Sequence, residues 1–176
     1  SGLYEMCKQF KEMRAPYKVQ KTKEAKSKSN ALKIMVNTFY GANTNPYINY
    51  GDMATGITIT SVARFLLLSA INLIRKKYGE KSVVYCHTDG INTNIDVDET
   101  WLVNRLRLIL ENKIPFADSK WIDMDKDVYK EGFWVQIGNY VLRNEDGTLT
   151  KHGSTFKAST RSTFYKDTLE KIIEGR

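Results

Sequence analysis

The chain has 176 residues, 41% of them hydrophobic, which suits one soluble domain of ordinary size with a real core. No apolar run is expected to approach the length of about 20 residues that a membrane helix needs, because the most apolar segment, Ile57 to Ile74, carries Arg64, Asn72 and several Ser and Thr, and no membrane span is expected. Two cysteines, Cys7 and Cys86, lie far apart and outside any CxxC, which excludes a disulfide framework and points to a reducing compartment; Cys86 is expected to be a buried strand residue. The start, Ser1-Gly2, has no Met and no apolar leader, and reads as trimmed or tag-derived from a longer product. The net charge is +7 and unevenly spread. Residues 1–33 hold nine Lys or Arg against three Glu, whereas residues 87–131 hold ten Asp or Glu against six Lys or Arg. A basic arm beside an acidic, cation-hungry segment fits a protein that grips a polyphosphate, although a Lys-rich helix is also an ordinary solvated face.

In chain order, Leu3 to Arg14 reads as a helix interrupted at Ala15-Pro16. Tyr17 to Ser29 reads as a second exposed helix or a link, able to form a helical hairpin with the first. A further helix is expected from Asn30, as its cap, to Gly41. On it Lys33, Asn37 and Tyr40 share one face, opposite Leu32, Met35, Val36 and Phe39. After a loop over Ala42 to Gly51, a long apolar helix, the main packing element, is predicted over Ile57–Tyr78, closed by Arg75, Lys76, Lys77 and Gly79. Val83 to Cys86 and Ile91 to Ile95 flank the turn dipeptide Asp89-Gly90, so that a hairpin tip carries a fixed carboxylate able to hold a divalent cation. Asp96 and Glu99 make a capping-box-like start for a helix to about Asn112, with the stripe Leu102, Leu106, Ile109 and Leu110. Trp121, Asp123 and Asp125 alternate with Ile122 and Met124. Strands are expected over Phe133–Ile137, Tyr140–Arg143 and Thr148–Lys151, and a terminal helix over Ser162–Glu174. The fold class is α+β, an antiparallel sheet with helices on one side.

The string KIMVNTFYG, which carries Lys33, Asn37 and Tyr40, resembles the KxxxNxxYG motif of family B DNA polymerases. Downstream, YCHTDG is similar to that family's metal-carrying YxDTDG hairpin, and between the two TSVAR, Thr60 to Arg64, resembles TxxGR with Ala63 for Gly. Two ordered motifs at the right distance are more specific than either alone. The resemblance implies a palm-type sheet with a basic helical fingers segment: residues 1–41 as part of the fingers and the nucleotide-binding helix, 42–160 as palm, and 161–176 leading toward a thumb. It implies that Lys33 meets the triphosphate of an incoming deoxynucleotide, that Asn37 and Tyr40 line its pocket, and that Lys8 and Lys11 are candidate phosphate contacts. It assigns Thr60, Arg64 and Tyr140 to DNA, and Asp89 to catalysis and metal, with two Mg²⁺ ions in the complete enzyme. The implied partners are a primer-template and deoxynucleoside triphosphates, at intracellular sites of DNA replication, with no membrane.

The sequence departs from the pattern at informative places. His87 stands where the first Asp of DTD belongs, and a neutral imidazole does not replace a hard carboxylate for Mg²⁺, though it suits Mn²⁺ better. His87, Asp123 and Asp125 are the other candidate ligands. In YKEGFWVQIGNY, Gly138 occupies the Lys position of the primer-gripping KxY, leaving Tyr140. No DxxSLYP-type string is present, so the other catalytic Asp and the exonuclease are expected on a companion chain or a missing segment. The alternative is a catalytically inactive, polymerase-derived nucleic-acid-binding module.

Overall fold

The computed structural model describes residues 2–20, 22–45, 47, 51–115 and 117–153, with 168, 171, 172 and 175. Two compact units divide the chain at Phe65/Leu66. The first holds α1 (Gly2–Val19), α2 (Lys23–Thr44) and the start of α3 (Met53–Tyr78). α1 and α2 form a helical hairpin, but of two helices where three are expected: Tyr17 to Val19 belong to α1, and Lys23 to Ser29 of the expected second helix are continuous with the third in α2. Pro16 sits inside α1 instead of ending it. A proline removes one helical hydrogen bond, and here the turn around it is held from α2: Arg14 Nε donates to Ser29 Oγ at 3.1 Å, and the Lys28 ammonium lies 5.7 Å from the Tyr17 ring centre. α2 begins at Lys23, capped by Thr22, whose hydroxyl accepts from the Ala25 N–H at 3.2 Å. Asn30 is therefore internal, and the helix passes Gly41 to end at Thr44. Its inward face is Ala25, Ser29, Leu32, Val36, Phe39 and Asn43, with Phe39 stacked on Phe10 of α1 at 5.8 Å; Met35, expected on this face, is exposed.

α3 starts at Met53, ahead of the predicted Ile57. Gly56 is buried there because a Cβ would stand 2.3 Å from Thr44 Cγ2. α3 is long and apolar enough to cross a membrane, which corrects the expectation that no segment reaches that length. Arg64 is the one charge between Met53 and Arg75, and little of this apolar stretch is buried.

The second unit contains the hydrophobic core. Ala70 and Ile74 of α3 meet Leu102 and Leu106 of α4 (Glu99–Lys113), and Val83, Ile91, Trp101, Ile122 and Met124 pack around them. Ile74 and Leu102 are 2% exposed, and each buried side chain of this kind contributes about 2–3 kcal/mol. The α4 cap is Asp98, which accepts from the Trp101 N–H at 3.0 Å; Asp96, the expected cap, pairs instead with Lys126. Ile122 and Met124 point inward and Asp123 and Asp125 outward, as the alternation predicts, but this stretch follows a 3-10 turn (Ser119–Trp121) and joins no sheet.

In place of the expected single sheet, the described residues form two antiparallel sheets. β1 (Val83–His87) pairs with β2 (Gly90–Thr93), and β3 (Glu131–Gln136), β4 (Asn139–Arg143) and β5 (Leu149–His152) form a separate meander. Both β1–β2 and β3–β4 carry a register shift, between Val83 and Tyr85 and between Trp134 and Gln136, and such bulges bend a strand out of a flat ladder. The β4–β5 turn closes on Gly147 at φ +83°, with Asp146 accepting from the Thr148 N–H and hydroxyl, bonds that lower the carboxyl pKa below its ordinary value. The helix expected over 162–174 lies almost entirely outside the described residues.

Candidate functional site

The β1–β2 hairpin places its tip one residue earlier than the Asp-Gly dipeptide suggests. His87 pairs with Gly90, so the two turn residues are Thr88 and Asp89, and Gly90 already belongs to β2. The left-handed residue is Thr88, at φ +57°. A β-branched residue in that region is strained by about 1–2 kcal/mol. Asp89 is thereby exposed at the extreme tip, and Cys86, expected to be buried, faces outward and is exposed.

Tyr85 and His87 share the other face of β1, as the alternation predicts, and their rings stack at 6.3 Å and 12°. They meet a row of rings on the meander. Trp134, Tyr140 and His152 are direct cross-strand partners on β3, β4 and β5, and Tyr140 stacks on His152 at 4.6 Å. Tyr85 lies over this row, 5.8 Å from Trp134 and 5.7 Å from Tyr140, and its hydroxyl accepts the Gly138 N–H at 2.8 Å. The Tyr140 phenol is thus partly withdrawn from water. Burial raises its pKa above the ordinary value, with Tyr85 and then Asp89 adding to the effect.

This assembly lines one side of a cleft of about 1270 Å³ that also takes in Asp123 and Asp125. Seven carboxylates and two lysines line it. His87, Asp89, Asp123 and Asp125 therefore border one space, but among the described residues no three His, Cys, Asp or Glu side chains converge closely enough to hold a metal ion. The described residues alone do not make up a two-metal site.

The first unit carries the remaining candidates. Lys33, Asn37 and Tyr40 are all exposed, whereas Leu32, Val36 and Phe39 of the same helix are half-buried. On α1, Lys8 is half-buried and Lys11 exposed. On α3, Arg64 is exposed, while the Thr60 hydroxyl donates back to the helix at the Ile57 and Gly56 carbonyls, at 3.0 and 3.2 Å. Sequence reasoning missed Trp134 and His152. Their alignment with Tyr140 depends on strand register, for which the only sequence signal is the spacing of Trp134, Tyr140 and His152 about the two turns.

No protein-family model matches the chain. It is similar to the DNA polymerase of Thermococcus gorgonarius, 24% identical over 174 residues, which cover 98% of this chain and 22% of that polymerase. The DNA polymerases of Desulfurococcus sp. (strain Tok) and Thermococcus sp. (strain 9oN-7) match at the same identity, over 98% and 84% of this chain and 22% and 19% of their own lengths. This is distant, partial homology to archaeal family B DNA polymerases. The chain spans about a fifth of the length of these relatives.

Proposed function

We propose that this chain is the fingers-palm portion of a family B DNA polymerase, completed by a companion chain or further segment that supplies the other carboxylates. The observation that carries the reading is a similarity to DNA polymerases running over nearly the whole chain, together with Asp89 held at the tip of a docked hairpin. In this reading Lys33, Asn37 and Tyr40 receive a deoxynucleoside triphosphate, with Lys8 and Lys11 as further phosphate contacts, and Thr60, Arg64 and Tyr140 lie along DNA. Lys33 is a compact cation for phosphate oxygens, and its exposure leaves it free to approach them. Asp89 brings one carboxylate toward Mg²⁺ or Mn²⁺; His87, Asp123 and Asp125 border the same cleft, and the rest of the donor set comes from elsewhere. The setting is intracellular DNA replication.

The second reading, a catalytically inactive nucleic-acid-binding module, is favoured by His87 in place of a carboxylate and by the lack of a three-donor cluster among the described residues. Primer extension separates the two. The isolated chain is expected not to extend a primer. The full-length or reassembled enzyme is expected to do so and to lose at least about 10³-fold of its rate with Asp89→Asn. Extension indifferent to Asp89→Asn overturns the catalytic reading. DNA binding without any extension by the reassembled protein establishes the module.

A further inference from the structure

Two of the departures from the polymerase motifs, His87 for Asp and Gly138 for Lys, are distant in sequence and adjacent in the fold. A Cβ on Gly138 would stand 3.6 Å from His87 Nε2 and 3.9 Å from Cε1. Gly138 also has φ +75°, so a longer side chain there meets a strained backbone and an imidazole together. The same imidazole stacks on Tyr85, shares a 3.1 Å hydrogen bond with Thr88 Oγ1, and sits beside the bond from Gly138 N–H to the Tyr85 hydroxyl. Ring, hydroxyl and bare backbone thus form one lock between the β1–β2 tip and the β3–β4 turn.

Such a lock is needed. A two-stranded hairpin is marginal by itself, this one shares no ladder with the meander, and its tip is strained at Thr88. We propose that His87 is a positioning residue for Asp89 and that Gly138 is its required partner, the two departures being one coupled exchange. This rests on the reading of Asp89 as the catalytic carboxylate. His87 acts through Tyr85 and the turn, not as a metal ligand.

The test is amide exchange at Gly138 and the backbone order parameter at Asp89, measured by NMR on the whole chain. His87→Ala is expected to speed Gly138 exchange about tenfold or more and to drop Asp89 from the rigid range near 0.85 toward about 0.6. His87→Phe, which keeps a ring but cannot bind metal, should restore both to within about twofold of wild type. Gly138→Lys, whose side chain continues past a Cβ already in contact with the imidazole, should loosen the wild type more than it loosens the His87→Ala background, where only the backbone strain at φ +75° remains. Unchanged exchange in His87→Ala, no rescue by Phe, or loosening spread evenly over all amides of the second unit would overturn the proposal. Asp89→Asn is expected to leave both readouts alone. A failure of the polymerase reading therefore appears only in primer extension, and a failure of the lock only in these amides.

Discussion

The two units solve different problems with different residues. Residues 1–65 carry ten Lys or Arg against four Asp or Glu, and their buried positions are Ala25, Ser29, Asn43 and Gly56. Residues 66–176 carry seventeen against sixteen, and contain a core of Ala70, Ile74, Leu102 and Leu106. In the first unit α1 and α2 meet through the Phe10–Phe39 stack and through small or polar contacts such as Arg14 to Ser29, with most of the described cations at the surface. The second buries large apolar side chains, and that core supports the short hairpin carrying a carboxylate. Excess positive charge and a large apolar core thus lie in separate stretches of the chain.

The most severe way to break this contrast is at Ile74, 2% exposed at the centre of the second core. Ile74→Ala is expected to cost about 2–5 kcal/mol. Site-resolved amide exchange should show the loss in α4 and the β1–β2 hairpin, with the α1–α2 hairpin unaffected. Equal loosening in both units would mean that they fold as one. In the first unit the corresponding weak point is Gly56, where a Cβ would meet Thr44 Cγ2 at 2.3 Å. Gly56→Ala should cost about 1–3 kcal/mol, measured by denaturant unfolding, with partial recovery when Thr44→Ser removes the opposing methyl group.

Thr88 offers a smaller change of opposite sign. Its φ of +57° is free of penalty for glycine, so Thr88→Gly should gain up to about 1 kcal/mol for the hairpin. Loss of the Thr88 bond to His87 limits that gain, and a clear destabilisation in thermal unfolding would show that the bond outweighs the strain.

What can be read in the sequence follows the same division. The stripe Leu102, Leu106, Leu110 and the strands around Tyr140 and Thr150 are legible, since large apolar residues at helical or alternating spacing have one stable way to face inward. The start of α2 is not. Its inward positions Ala25 and Ser29 are small or polar and leave no apolar period, so the cap Thr22 passes for linker. The hairpin is legible as a hairpin but slips by one residue, because Gly90 invites the positive φ that the structure gives to Thr88. The shared face of Tyr85 and His87 follows from alternation, yet the socket receiving them does not. Trp134, Tyr140 and His152 come together only through cross-strand register, which no local pattern encodes. The three motif residues of α2 are all exposed, while the helix bounds differ from those expected.

The smallest effect on stability and the most direct probe of the first unit is neutralisation of its exposed cations. Lys18, Lys23 and Lys26 are exposed and lie near the turn of the helical hairpin, about two helical turns or more ahead of Lys33. Replacing all three with Gln should change unfolding free energy by less than about 0.5 kcal/mol, since surface substitutions away from buried features do little. Binding to single-stranded DNA should respond differently. Each lysine that neutralises a phosphate releases a condensed counterion, so the slope of log K against log salt should flatten by about 0.7 for each phosphate no longer neutralised, or about 2 for all three. The same three-site change made among Lys120, Lys126 and Lys130 of the second unit should leave the slope near its original value, because Lys120 pairs with Asp118 and the other two line a cleft with seven carboxylates. An unchanged slope in the first variant, or an equal flattening in both, would mean that the basic hairpin is a solvated face and that the division of charge between the units has no part in gripping nucleic acid.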